Sequence, residues 1–368
     1  PMRVKGREEQ VRAFAAEGPL GGETSIRHGP GRETPLVGRD IERARLQAAW
    51  ESGRGAFVVV VGEAGVGKTR LVADFRVAIR RQGGARVATG RALEEARLPM
   101  APFAEMARAE TTGPIVLALA ESMADAVPDP VDRENFAHLI SLSIGVAVPD
   151  ARVRAIDPAR LIDETHHAWA VWATSRGPAL LCLEDLQWAD DAALALLESL
   201  PRAASGSPFM VVATARPGAR LPAGFERLDL ADLVPEAALR LAANTLGAPL
   251  SPALRDFLVA QSGGNPFYVE ELARFLKDER LVAGVPLDLS GPAGKIPAGL
   301  RGLLVARLDA MPAESREAMK AASVLGRAFW PGLLGELLAR DPAGSIREAS
   351  RRDMIGAQRH SLLPGEAQ

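Results

Sequence analysis

The sequence predicts an α/β chain: a parallel sheet flanked by helices, then a mainly helical region. Three observations predict it. Short apolar runs, "AFVVVVG" at 56–62, "PALLCLEDLQWAD" at 178–190 and "PFMVVATARPG" at 208–218, have the pattern of strands buried on both faces. Stretches of helical spacing alternate with them, as a parallel sheet requires. After residue 231 strand patterns largely disappear and helical spacing takes over.

Each element follows from local pattern. Residues 1–34 are rich in Gly, Arg and Glu and read as a linker. In "LVGRDIERARLQAAW", 36–50, Leu36, Ile41, Leu46 and Trp50 are spaced for a short amphipathic helix. The first strand, 56–62, leads into a glycine-rich loop. Leu71, Phe75, Ala78 and Ile79 then recur at helical spacing, and "ARVATG", 85–90, reads as a second strand. Residues 91–178 are mostly helical in pattern with Pro-Gly breaks, and "LIDETHHAWAVWATSR" is an amphipathic helix within them. The strand of 178–190 ends in carboxylates; "DAALALLESL" is helical, and "ERLDL" is a short last strand. Helices are expected at 235–246, 251–262, 266–280, 297–310 and 313–325. Boundaries near 231 and in "VAGVPLDLSGPAGKIP" divide the chain into 1–34, 35–230, 231–290 and 291–368.

Composition narrows the class. A chain of 368 residues is long for one domain and suits two or three. Its 47% apolar and 24% charged residues are ordinary for a globular protein, and a net charge of −2 gives no basic excess for nucleic acid. Cys182 is the one cysteine, which excludes an internal disulfide and a cysteine-based metal site. No run approaches the roughly 18 apolar residues of a membrane span, so a cytoplasmic protein without a membrane partner is expected. Lysine occurs only at Lys5, Lys68, Lys277, Lys295 and Lys320, in a chain that prefers arginine.

One of those lysines carries chemistry. Gly62, Gly65, Gly67, Lys68 and Thr69 fit G-x-x-x-x-G-K-[ST], and the nucleotide-binding stretch runs through Glu63, Ala64 and Val66 to Arg70. A loop wrapped around phosphate needs inward-pointing backbone N–H groups and residues free of Cβ. The helix after it adds a positive dipole end, Lys68 a compact cation for the β and γ oxygens, and Thr69 a hydroxyl for Mg²⁺. The pattern arises by chance about once in a hundred such chains; the buried strand before it and the helix after it raise it above a solvated glycine turn.

A magnesium nucleotide site also needs an acid from the end of a neighbouring buried strand. "LLCLED" supplies Glu184 and Asp185, in the reverse of the commoner Asp-Glu order. The expectation is Glu184 on Mg²⁺ and Asp185 on water, with Lys68 completing the catalytic set. "MVVATARP" carries Thr214 and Arg216 to a third strand end, where Arg216 can report the γ-phosphate. Cys182, Trp169 and Trp172 read as core; His166 and His167, adjacent on a helix, point apart and make a poor metal pair.

Taken in order, "LVGRDIERARL", "VVVVGEAGVGKTRLVADF", "LLCLEDLQWADDAALALLESL", "VVATARPG", "SGGNPFYVEELARFL" and "IPAGLRGLLVARLDAMPAESREAMKAASVLGRAF" resemble the STAND-type AAA ATPase modules of bacterial multidomain signalling proteins. These include class III adenylate/guanylate cyclase fusions and large LuxR-type regulators. The resemblance covers roughly 36–330. It implies a P-loop NTPase sheet, a helical lid and a winged-helix-like arm. It implies ATP with Mg²⁺, Val37, Gly38, Arg39 and Pro266 near adenine, and Arg216 as the sensor arginine. The start, "MRVKGREEQVRAFAAEGPLG", resembles a class III cyclase tail. The end resembles the approach to helical repeats, so a fragment of a larger protein is expected, with a fused output domain and repeats as partners.

These readings converge on a slow regulatory ATPase. The alternatives are a nucleotide-binding scaffold that does not hydrolyse and the ATP module of a LuxR-type transcription regulator. A Ras-like GTPase is excluded because no lysine follows an asparagine, as its N-K-x-D segment requires.

Overall fold

Four consecutive valines have no polar residue to give to solvent, and β1 (Ala56–Val61) accordingly runs through the middle of the molecule. The structure, a computed structural model, describes residues 35–92, 99–111, 113–149, 160–203, 208–290, 299–326, 329–352 and 354–356. The linker expected at 1–34 lies outside them.

The chain enters through α1 (Asp40–Glu51), passes β1, and turns into α2 (Lys68–Gln82) and β2 (Arg86–Arg91). Among the described residues there follow α3 (Ala101–Ala109), α4 (Ile115–Ser122), α5 (Pro130–Ser143) and α6 (Leu161–Thr174). Then come β3 (Ala179–Glu184), a 3-10 turn at Leu186–Trp188, α7 (Asp191–Ala203), β4 (Phe209–Ala215) and β5 (Glu226–Asp229). The five strands pair in parallel in the order β2-β3-β4-β1-β5. The carboxylate-bearing β3 is thus not beside β1, as the sequence reading supposed; β4 lies between them.

Alternation along the strands builds two cores. Val58 and Val60 join Leu180, Cys182, Met210 and Val212 under α1 and α2. Val59 and Val61 join Leu181, Leu183, Val211 and Ala213 on the other face, under the inserted helices and α7. There Trp169 and Trp172 meet edge to face, centroids 5.2 Å apart. Cys182 is fully buried and its thiol is pushed up to about 12, chiefly by burial, as a core cysteine's should be. Ile41 departs from expectation. It is 76% exposed, and α1 faces the core through Leu46 instead.

The lid is α8 (Pro235–Leu246), α9 (Pro252–Ser262) and α10 (Pro266–Asp278), around a core of Leu241, Leu254, Leu258, Leu272 and Leu276. All three helices carry proline in the first turn, and Gly247 and Gly263 close α8 and α9 in the left-handed region. Beyond it, β6 (Val282–Ala283) and β7 (Asp288–Leu289) form a small antiparallel hairpin in the stretch where the sequence reading placed a boundary. The described remainder is helical: α11 (Gly299–Asp309), α12 (Ala313–Leu325), α13 (Pro331–Leu338) and α14 (Ala343–Arg351). No strand of the expected winged-helix-like arm occurs among its described residues. A buried ion pair from Arg307 on α11 to Glu271 on α10 ties arm to lid.

Candidate functional site

The loop between β1 and α2 lies at the carboxyl end of the sheet, where open α/β sheets take ligands. Gly67 has φ +97, a conformation that favours glycine, and it starts α2 without any side-chain cap. The first-turn N–H groups therefore keep their capacity for an anion. Lys68 stands in that first turn, 8% exposed, and its Nζ donates to the carbonyls of Gly62 at 2.8 Å and Glu63 at 2.9 Å. Burial lowers its pKa from the ordinary lysine value; Asp185 opposes that shift, Arg216 adds to it and Glu63 opposes it. The ammonium thus lies within electrostatic reach of both expected partners from the strand ends. Thr69 and Arg70 follow on the same turn.

The two carboxylates part company. Glu184 ends β3 on the α2 side, 2% exposed, with Arg91 of β2 donating to Oε2 at 2.8 Å through Nη2. Burial raises its pKa, and Arg91 and then Arg76 pull it back. This carboxylate is engaged by arginine rather than presented to a metal, which differs from the role expected of it. Asp185 follows in the left-handed region, φ +61, and its charge opposes the lowering of the Lys68 pKa. Its backbone N donates to Oγ1 of fully buried Thr214, at the end of β4, at 3.0 Å. Arg216 leaves the same strand end, exposed, with its guanidinium 6.0 Å from the Trp188 ring centroid.

The lid reaches this loop directly. Phe267 N donates to Gly65 O at 3.2 Å, and Asn265 Nδ2 donates to Ala64 O at 3.2 Å. A Cβ on Gly65 would come within 2.9 Å of Asn265 Oδ1 and 3.0 Å of Phe267 Cβ, so the fourth residue of the loop has to be small. Pro266 sits between these two contacts. Arg39 is buried and donates to Val66 O at 2.9 Å and to Ala231 O at 2.7 Å, joining the phosphate loop to the entry of the lid. Val37 packs on the lid core, and Gly38 abuts Ala237 of α8. The "VGR" and "GNPF" stretches therefore converge on the loop from opposite ends of the sequence.

Residues 35–212 match a family described as the AAA ATPase domain. That segment is similar to AAA ATPase domains. The fold is similar to that of a STAND protein with a tetratricopeptide repeat sensor from Pyrococcus horikoshii, which superposes with a TM-score of 0.52 at 16% identity. The match covers 92% of this chain and 42% of that one. An uncharacterized protein of Rhizobium meliloti (strain 1021) is 26% identical over 370 residues, which is 91% of this chain. The chain spans about a third of that relative, 33% of its length.

Around this loop the sequence left three side chains unread. Arg91 and Gln187 are neither glycine nor acid, and nothing in their spacing announces a site. Only the parallel register of β2 with β3, which sets Arg91 opposite Glu184, brings that pair together. Asn265 reaches the loop only because lid and sheet fold together. Its side chain also caps α10, accepting from Tyr268 N at 3.2 Å. Asn265→Ala is expected to lower stability by about 1 kcal/mol through the lost cap, measured by chemical denaturation, and to loosen the lid from the loop in hydrogen exchange.

Proposed function

We propose that the chain is the ATP-operated switch of a longer signalling protein: it binds Mg-ATP at Gly62–Thr69, hydrolyses it slowly and passes the change to the lid. The observation that supports this best is the convergence of Lys68, Asp185 and Arg216 with the lid residues Asn265 and Phe267 on one loop. A ligand drives such a switch only through its different affinity for two states. Contacts made only to the γ-phosphate supply that difference.

The donor set fits magnesium. Hard oxygen donors suit Mg²⁺, which keeps one or two protein ligands and shares the rest with phosphate and water. The Thr69 hydroxyl answers that need, with phosphate and water supplying the remaining oxygens; Glu184 is committed to Arg91. Magnesium, when bound, neutralises charge on the phosphate oxygens. Lys68 and the first-turn N–H groups of α2 hold the β and γ oxygens. Asp185 orients a water and takes its proton as the water oxygen bonds to the γ-phosphorus and the bond to ADP breaks. Arg216 neutralises the γ-phosphate. Val37 and Gly38, packed on the lid, and Pro266 border the space left for the base.

The parent output domain we propose is a nucleotide cyclase, on the cyclase-like start of the sequence, and the setting cytoplasmic; no described helix is long and apolar enough to cross a membrane. Phosphate release from ATP by the purified chain, with ATP, ADP and GTP binding alongside, tests the reading. Preferred ATP binding with release above blank supports it; binding without release leaves a non-hydrolysing scaffold, which the Arg91–Glu184 pair favours. Arg216→Ala is expected to weaken ATP about tenfold or more and ADP little, since a charged contact of about 1.5–3 kcal/mol is lost. Calorimetry with both nucleotides measures it, and equal losses for both remove the sensor role.

A further inference from the structure

Between the two strand ends that carry Asp185 and Arg216 stands one amide side chain, Gln187, in the 3-10 turn after β3. Its Nε2 donates to Asp185 Oδ1 at 3.0 Å. Its Oε1 accepts from the backbone N of Arg216 at 3.1 Å. Chemistry fixes which end is which: a backbone N–H only donates and an ionised carboxylate only accepts, so a flipped amide would lose both bonds. The turn itself is anchored, because Leu186 is buried in the core and Thr214 holds the backbone N of Asp185.

We infer that Gln187 is a positioning residue that couples Asp185 to Arg216, making the water-orienting acid and the γ-phosphate sensor one unit. The inference rests on the ATPase reading above. An aspartate in this left-handed turn still rotates about its own side-chain bonds. The amide removes that freedom by holding Oδ1, which leaves Oδ2 for water. Movement of the Arg216 backbone toward or away from a phosphate is transmitted through a single rigid amide to the carboxylate. The Trp188 ring, one residue on, lies beside the Arg216 guanidinium. The same short turn thus meets the sensor segment at both its backbone and its side chain.

The test uses the full chain with Mg²⁺ and ATP or ADP. Gln187→Ala is expected to lower kcat about 10- to 100-fold while ADP affinity stays within about twofold. Gln187→Glu keeps the acceptor for Arg216 N but sets a second carboxylate against Asp185. A like charge raises a carboxyl pKa, so the acid limb of the pH–rate profile moves to higher pH. A purely structural role would lower thermal stability and leave that limb in place. Independently of turnover, a cycle of Gln187→Ala, Arg216→Ala and the double variant reads the ATP-to-ADP affinity ratio. Coupling requires the double variant to lose no more than Arg216→Ala alone. Losses that multiply overturn the inference, as does an unmoved acid limb in a hydrolysing parent. If the parent releases no phosphate, the hydrolytic reading fails while the affinity cycle still decides Gln187.

Discussion

Replacing Lys68 by alanine is expected to weaken Mg-ATP binding by at least about 100-fold and leave the fold intact. The ammonium is 8% exposed and set over the loop by the Gly62 and Glu63 carbonyls. It is therefore already oriented before a phosphate arrives, and little ordering is left to do. Two charge-assisted contacts to phosphate at about 1.5–3 kcal/mol each correspond to roughly 10²- to 10⁴-fold in affinity. The substitution leaves no buried carboxylate without a cation of its own, because Glu184 has Arg91 and Asp185 is only half-buried. Alanine also favours the helix that starts there. Titration calorimetry measures the affinity and circular dichroism the fold; unchanged affinity would sink the assignment of the loop.

How far the site was legible depended on which forces each residue obeys. Gly62–Thr69 and the strands were readable because one-dimensional pattern dictates them: an apolar run buried on both faces, a left-handed glycine, a lysine at a helix start. The lid helices were readable from their helical spacing. The 3-10 turn between Asp185 and α7 was not, since it has no period. Nor was the partner of Glu184, which follows from β2 lying beside β3 with Arg91 at the same level. Ile41 failed for a related reason. An apolar residue at helical spacing marks a core face only when a neighbouring element covers it, and among the described residues Ile41 stays exposed. The carboxylate pair shows the limit best. The sequence assigned its two members by residue type alone, and what separates them is the Arg91 pair on Glu184 and the left-handed turn at Asp185.

That division leads to the second large effect. Asp185→Asn is expected to cut phosphate release about 10²- to 10⁴-fold, the range of a lost general base, with ATP affinity changed far less. Asparagine keeps the shape, tolerates the left-handed turn, and still offers Oδ1 to Gln187. What it loses is the charge that takes a proton and that supports the Lys68 ammonium. Glu184→Gln is the contrast. Its carboxylate answers Arg91 inside the sheet, so the neutral amide leaves a partly buried guanidinium without its counter-charge. The expected loss is stability, on the order of 1–3 kcal/mol, with turnover per folded molecule changed less than in Asp185→Asn. Single-turnover phosphate release and denaturation on both variants separate the two roles. A collapse of turnover in Glu184→Gln with Asp185→Asn near the parent rate would return the catalytic charge to Glu184, and the Arg91 pair would then be a bond that nucleotide binding has to break.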